Sequence, residues 1–280
     1  MQTVTFKSVL HGLATSVGLD PLLNLLADQA AAFTVYINDR LKEAWESYDW
    51  PELTLIEERA YRDAYAAATT YAIGDEVYYA TTGKYYEAIA VTTGNLPTDA
   101  TKWSELTSFE RYVAYQQTGK TKLGEVFGVW TKDPRVNRAP GELGYDLNEK
   151  GVLVDFDAPA TVWVEFQLRP AEFTSVPWAA ATAYVADNLV YLDSTGEVYR
   201  ALQASTNQTP PNATYWAKVD FPYVLAPFVK AAGKADVLRE EGQEDAAIRQ
   251  EGRAGKLLMD AYDNLEMRQN RRRHFSVRTG

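Results

Sequence analysis

The sequence predicts an α+β protein of several domains: a discontinuous α-helical bundle, an antiparallel β middle domain and two small β-rich repeat modules. Three observations predict it. Apolar residues recur with a helical period near both ends of the chain, apolar and polar residues alternate in its centre, and a segment of about 40 residues occurs twice at a constant offset of 113.

Residues 6–17 read as a first helix, stopped by Gly18. Asp20-Pro21 offers a cap followed by proline at the first helical position, and Leu22, Leu26, Ala30, Phe33, Ile37, Leu41, Ala44 and Tyr48 then recur in steps of three and four. This predicts one amphipathic helix of about 27 residues, roughly 40 Å long at 1.5 Å per residue. Asp49-Trp50-Pro51 ends it and opens a further short helix on Leu53, Ile56 and Ala60.

The repeat follows. Ala66-Ala67-Ala68-Thr69-x-Tyr71 returns as Ala179-Ala180-Ala181-Thr182-x-Tyr184. Without a gap, Val77-Tyr78 matches Val190-Tyr191, Thr82-Gly83 matches Thr195-Gly196, and Tyr86, Ala88, Pro97, Thr101 and Trp103 match Tyr199, Ala201, Pro210, Thr214 and Trp216. Each copy reads as a β-hairpin, a proline loop and a closing tryptophan. Forty residues enclose a thin core, so the aromatic rings have to supply most of the burial. The modules span 66–108 and 178–221, on either side of a β middle at 109–177.

In that middle, residues 124–130 predict a strand ended by Asp133-Pro134-Arg135. Residues 151–156 and 161–168 predict an antiparallel hairpin, with Val162, Val164, Phe166 and Leu168 on its buried face and Trp163, Glu165 and Gln167 opposite. After the second module, Leu225, Phe228, Val229 and Ala232 form one helical stripe, and Ala254, Leu257, Leu258, Ala261, Tyr262 and Leu265 form another. Gly233, Gly242, Gly252 and Gly255 each cost about 1 kcal/mol in a helix interior, which favours a helical hairpin or a broken helix over one rod. Residues 1–65 and 222–266 are expected to pack as one helical domain. Residues 267–280 lack an apolar period and are expected to be a disordered basic arm.

Composition excludes several classes of function. The chain has 280 residues and no cysteine, so disulfides, zinc ribbons, iron–sulfur clusters and thiol nucleophiles are ruled out. Only His11 and His274 are available for imidazole chemistry, and they stand near opposite ends. The opening Met1–Lys7 segment has no signal-peptide pattern and no run is long enough to span a bilayer, so a soluble, membrane-free chain made in a cytoplasm is expected. A net charge of −10 argues against a surface that wraps nucleic acid. The charge is uneven: residues 236–266 hold nine acids and four bases, whereas residues 267–280 hold five arginines and no acid.

The catalytic candidates are thin. Gly119-Lys120-Thr121 lacks the glycine five positions earlier that a phosphate loop needs, since Ala114 stands there. Asn207-Gln208-Thr209 and Asn212-Ala213-Thr214 match the glycosylation pattern but read as loop residues. Glu165 with Asp155 or Asp157 offers a glycosidase-like carboxylate pair, against the plainer reading of a solvated sheet face. His11 reads as a partner-facing or core-edge residue. No catalytic residue, metal ligand or cofactor is expected.

Each repeat resembles the small carbohydrate-binding domains found beside chitinases and on phage structural proteins. The residues that carry this are Tyr71-Ala72-Ile73-Gly74-Asp75-Glu76-Val77, Gly83, Tyr86-Glu87-Ala88, Pro97 and Trp103; the second copy departs at Ala186-Asp187, where the Gly-Asp pair is expected. The resemblance implies sugar-contact aromatics at Tyr71, Tyr78, Tyr86, Trp103, Tyr184, Tyr191, Tyr199 and Trp216. Their competing reading is the module's own core.

The frame around the repeats resembles the head-to-tail adaptor (neck) proteins of tailed bacteriophages. The phrases that carry this are Val4-Thr5-Phe6-Lys7-Ser8-Val9-Leu10-His11-Gly12, the helix after Asp20-Pro21, Val129-Trp130-Thr131-Lys132-Asp133-Pro134-Arg135, Ala160-Thr161-Val162-Trp163-Val164-Glu165-Phe166 and Glu240-Glu241-Gly242-Gln243-Glu244-Asp245-Ala246. The resemblance implies a structural virion protein, not an enzyme, forming a closed ring of about twelve copies through heterologous contacts. That ring would sit between portal and tail, assembled in the host cytoplasm, with DNA passing through its channel without specific binding. The implied partners are the portal protein, tail or further neck proteins, and other copies of the chain. The C-terminal segment, with Arg268, Arg271, Arg272, Arg273, His274, Phe275 and Arg278, would dock on the portal, Phe275 and Val277 serving as apolar anchors; nucleic acid is the other partner its charge suits. A glycan-binding accessory virion protein remains the alternative, and a cell-wall glycosidase a third reading for which residues 109–175 leave little room.

Overall fold

The computed structural model describes the backbone of residues 2–20, 25–155 and 157–274, and side chains as far as Met267 within those spans. Among the described residues, four helices and many antiparallel strands make it an α+β protein. In chain order the elements are β1 (Thr3–Val4), α1 (Phe6–Ser16), α2 (Ala27–Glu46), β2 (Thr54–Ala60), β3 (Thr70–Tyr71), β4 (Glu76–Tyr79), β5 (Lys84–Ala88), β6 (Thr92–Thr93), β7 (Trp103–Leu106), β8 (Tyr112–Ala114), β9 (Val126–Trp130), β10 (Tyr145–Leu147), β11 (Gly151–Val154) and β12 (Thr161–Gln167). They continue with β13 (Ala183–Tyr184), β14 (Leu189–Leu192), β15 (Glu197–Ala201), β16 (Ser205–Thr206), β17 (Trp216–Val219), β18 (Phe221–Pro222), a 3-10 turn at Tyr223–Leu225, α3 (Ala226–Glu240) and α4 (Glu244–His274). Two compact units divide the chain: Met1–Glu52 with Pro170–Gly280, and Leu53–Arg169.

In the first unit α3 packs against α1, α2 and α4. Thr5 caps α1 by accepting the Ser8 N–H at 3.1 Å. Gly233 leaves room for Leu13, which lies 3.1 Å from where a Cβ would stand, so α1 and α3 approach closely. The chain turns between α3 and α4 at Gly242, whose φ of +75° suits glycine, and Gln243 N–H closes the turn on Leu238 O at 2.8 Å. Of the two helical arrangements expected here, the hairpin is the one formed. Tyr262 of α4 stacks on Tyr48 at 4.4 Å and meets Trp50 edge-on.

Three helical expectations are corrected. The long helix starts at Ala27 rather than just after Asp20-Pro21, because the Gln29 side chain accepts the Leu26 N–H at 3.2 Å and closes the helix start there; residues 21–24 lie outside the described residues. Phe33, Ile37, Leu41 and Ala44 of its stripe are buried as expected, whereas Leu26, assigned to the same stripe, is 60% exposed. Leu53, Ile56 and Ala60 do not carry a helix. Residues 54–60 form β2, which pairs along its whole length with β12, from Thr54↔Gln167 to Ala60↔Thr161, so this segment lies in the second unit and outside the helical domain. A full ladder outweighs the weak helix preference of Thr and Ile. Finally, the arginine-rich segment is helical as far as His274, because no glycine or proline interrupts α4 there and arginines at a helix C-terminus suit its dipole. Residues 275–280, with Phe275, Val277 and Arg278, lie outside the described residues.

Apart from the first repeat, the described part of the second unit is built on the three-stranded sheets β2-β12-β9 and β10-β11-β8. Val162, Val164 and Phe166 are fully buried, but the expected hairpin of residues 151–156 with 161–168 does not form. β11 and β12 belong to different sheets and meet through side chains, Val152 and Val154 sharing one core with Val162, Val164 and Phe166. Each strand has one apolar face, and two such faces bury more when packed together than when their edges pair. Gln167 is buried, against the expectation of an outward face.

Tyr61 is central to this core. It is 1% exposed, its N–H donates to Tyr85 Oη at 3.0 Å, and its hydroxyl donates to Pro159 O at 2.9 Å. Burial pushes its pKa up from 10 to about 12, with the Arg111 guanidinium pulling the other way. The unfolded chain therefore releases this proton first. The stabilisation is complete below pH 10 and falls as pH rises towards 12. Urea denaturation in that window should show declining stability, and Tyr61→Phe should flatten the decline while costing about 1 kcal/mol at neutral pH through the lost hydrogen bond. An unchanged pH slope in the variant would remove Tyr61 as its source.

The repeats correspond strand for strand: β3 to β7 map onto β13 to β17 with the same offset at every boundary. Each is a two-stranded ribbon beside a three-stranded sheet. Their cores are Tyr71, Val77, Tyr86, Ala88 and Trp103 in one copy, and Tyr184, Val190, Tyr199, Ala201 and Trp216 in the other. The polar details also match: Tyr71 and Tyr184 Oη accept the Ala66 and Ala179 N–H, and Trp103 and Trp216 Nε1 donate to Asn95 O and Gln208 O. Lys84 pairs with Glu105 at 2.8 Å, and the same two positions in the second copy hold the reversed pair, Glu197 with Lys218 at 3.4 Å.

Two boundary details differ from expectation. Asp63 O accepts the Tyr78 N–H and Val176 O accepts the Tyr191 N–H, so each module starts about three residues before 66 and 178. The second copy's first turn is not altered. The Gly74-Asp75 pair is matched by Asp187-Asn188, one residue later than the Ala186-Asp187 expected from the sequence; Asp187 takes φ +69° against +92° for Gly74, and Asn188 Oδ1 accepts the Val185 N–H as Asp75 Oδ2 accepts that of Ala72. Gly94 is likewise replaced by Asn207 at φ +60°. Asp and Asn are the side chains that best tolerate the left-handed region, so the turns survive both replacements.

Candidate functional site

Six of the eight aromatics implied as sugar contacts sit in the modules' own cores, and Tyr78 and Tyr191 lie outside them. Tyr71, Tyr86, Trp103, Tyr184, Tyr199 and Trp216 are each at most 8% exposed. Tyr78 is half-buried against Tyr85, and Tyr191 is half-buried edge-on to Phe6 with its hydroxyl donating to Asp193 at 3.1 Å. The six core rings are too buried to offer the face that sugar stacking uses. The reading as module core accounts for the placement of these six. The sequence reading overlooked Tyr65 and Trp178, which stand at the same offset and pack on the two cores. Both being aromatic was the available signal.

The enzyme-like groups do not converge. Glu165 is on β12 and Asp155 follows β11, and these strands lie in different sheets, so the hairpin that would set the two carboxylates across from one another is absent. Gly119-Lys120-Thr121 lies between β8 and β9 with no helix after it, so the dipole a phosphate loop relies on is missing. Burial and then Lys7 lower the His11 pKa, while Asp193 opposes them. Among the described residues no group of three or more His, Asp or Glu side chains is placed to hold a metal ion, and no helix is long and apolar enough to cross a membrane.

Among the described residues, a polar cleft of about 400 Å³ lies between α2 and α3, lined by Tyr36, Asp39, Arg40 and Glu43 of α2 and by Asp236, Arg239 and Glu240 of α3. Arg40 makes a two-pronged pair with Asp236 at 2.6 and 2.8 Å and also reaches Glu43 at 2.7 Å and Glu251 of α4 at 3.2 Å. Arg239 reaches Glu251 at 2.6 Å, Asp236 at 3.4 Å and Glu244 at 3.6 Å. The Asp236 carboxylate is the main reason the Arg40 pKa is raised. Burial, and then a hydrogen bond to Glu240, raise Tyr36 to about 12. This network ties α2, α3 and α4 together and leaves an acidic excess at the rim. It was not legible in the sequence, because its partners stand up to 211 positions apart.

Arg268, Arg271, Arg272, Arg273 and His274 fall on the last turns of α4, which runs on past the buried Leu265 for nine residues, roughly 13 Å. Compared with protein-family models and with curated proteins, the chain matches none.

Proposed function

We propose that this chain is a structural adaptor of the tailed-phage neck, a ring of identical copies between portal and tail that surrounds the DNA path, with the C-terminal end of α4 docking on the portal. The observation that carries this reading is α4 itself. One helix joins an acidic frame, held to α2 and α3 by the Arg40 and Arg239 network, to a segment with five arginines and no acid. Arginine forks suit carboxylates on a partner, and several such contacts together outlast screening that would defeat one. A net charge of −10 suits a channel wall that lets DNA slide past. The two modules use their matched aromatics as core, which favours a role as inserted structural modules over sugar capture.

Co-sedimentation with the cognate portal ring tests the reading, with insoluble chitin and bacterial cell-wall polysaccharide as competing matrices. The expected result is retention by the portal and none by the polysaccharides. Retention on a polysaccharide without portal binding would replace the adaptor with a glycan-binding accessory protein.

A further inference from the structure

Within the second unit, a cleft of about 310 Å³ opens where the first module meets the segment that follows it. The module supplies Tyr85, Leu106 and the rim pair Lys84 and Glu105, and the following segment supplies Phe109 and Arg111. This volume is at the lower end of what small-molecule sites enclose. The second module has no such opening at the same place. A Cβ at Gly196 would press on Lys7 at 2.7 Å, and Val198, in the position of Tyr85, is fully buried. A Cβ at the matching Gly83 would meet nothing within 4 Å. The cleft is therefore particular to the first copy and its neighbours, and is not a property of the repeat.

Arg111 gives the cleft its chemistry. Its guanidinium lies over the rings of Phe109 at 5.8 Å and Tyr61 at 5.9 Å, and its Nη1 donates to Ala158 O. Two ring faces and a backbone acceptor hold the group in one orientation. It is half-buried, yet it has no carboxylate partner among the described residues. The other buried or half-buried arginines all have one: Arg40 pairs with Asp236, Arg59 with Glu57 and Arg62 with Glu76. Nε and Nη2 of Arg111 make no hydrogen bond among the described residues, so most of the fork is open to an acceptor. A cation partly removed from water is costly to leave without a counter-charge.

We propose that this cleft binds a small organic carboxylate, with Arg111 holding the carboxylate through its free nitrogens and the ligand's apolar body lying against Tyr85, Leu106 and Phe109. The planar fork of arginine matches the two oxygens of a carboxylate. The apolar side chains beside it have nothing to contact on an inorganic ion and suit a ligand with a hydrocarbon body. The cleft also limits the ligand's charge. Glu105 is the one carboxylate of its lining, and Lys84 pairs with it at 2.8 Å, which leaves Arg111 as the single unmatched charge. One negative charge is matched there, and a second would face Glu105. A ligand so placed touches both walls and ties the first module to the segment after it. This site is independent of the ring proposed above.

Benzoate is the probe, with benzamide as its uncharged analogue and acetate as the carboxylate without the body. In the full chain, the amide chemical shifts of residues 83–85 and 105–111 should move with benzoate at millimolar concentration and much less with either control. Arg111→Gln should weaken benzoate binding about tenfold or more. Arg111 also packs on two rings, so the exposed rim supplies variants that leave that packing alone. Glu105→Gln should tighten binding about threefold by removing the like charge, and Lys84→Gln should weaken it about threefold by leaving Glu105 unpaired. Benzamide binding as tightly as benzoate, or benzoate affinity unchanged in both rim variants, would overturn recognition of a carboxylate. Acetate binding as tightly as benzoate would overturn the role of the apolar wall. No response to benzoate in these residues would overturn the site.

Discussion

Removing residues 268–280 should abolish docking on the portal ring while leaving the helical unit folded. The contacts that hold α4 in place come before the cut: Ala247, Ala254 and Leu258 are buried, Leu265 is 9% exposed, and Tyr262 stacks on Tyr48. The thermal midpoint followed by circular dichroism should therefore hold. The segment removed carries five arginines, and exposed pairs are worth up to about 1 kcal/mol each, so losing several weakens the portal complex about a hundredfold or more. The loss should shrink as salt is raised for the intact protein, because the intact complex is itself screened. A truncated chain that still co-sediments with the portal at undiminished affinity would show that docking uses another surface.

Trp103→Ala should unfold the first module and leave the second intact. Trp103 is 2% exposed, meets Tyr71 and Tyr65 edge-on, and donates Nε1–H to Asn95 O at 3.1 Å. Truncating such a residue costs about 3–5 kcal/mol, more than a module of about 40 residues holds in reserve. Trp216→Ala should do the converse, since Trp216 is 3% exposed, packs on Tyr184 and donates to Gln208 O in the same way. Amide hydrogen exchange would read this directly: residues 70–106 lose protection in one variant and residues 183–219 in the other. Loss of protection in both copies from either substitution would mean that the modules do not fold as separate units.

The repeat was legible because its residues obey one offset without insertion, and the offset predicts pairing, turns and core together. What it hid was tolerance. Asp187 and Asn207 replace two glycines without changing the turns, and a search for glycine alone reads the first of these as a departure. The misread helix at residues 53–60 has a different cause. Leu53, Ile56 and Ala60 fit a helical period, and nothing local marks the segment as a strand; the deciding partner is β12, far along the chain. The same distance concealed the sheet assignment of β11 and β12, whose alternation announced one buried face each but not which neighbour would cover it. Of the candidate site residues, the aromatics were found and given two readings, and six of the eight are buried in the module cores. The Arg40–Asp236 pair needed coordinates, because ion pairs between distant helices have no local signature.

The central claim is that copies of this chain form a ring on the portal. Electron microscopy of the purified protein mixed with its cognate portal tests it most directly. Averaged end views should show a closed ring of identical copies coaxial with the portal and absent from portal alone; side views should place its density on the tail-facing side. Portal rings that remain bare in the presence of excess protein, with the chain itself remaining monomeric, would contradict the claim.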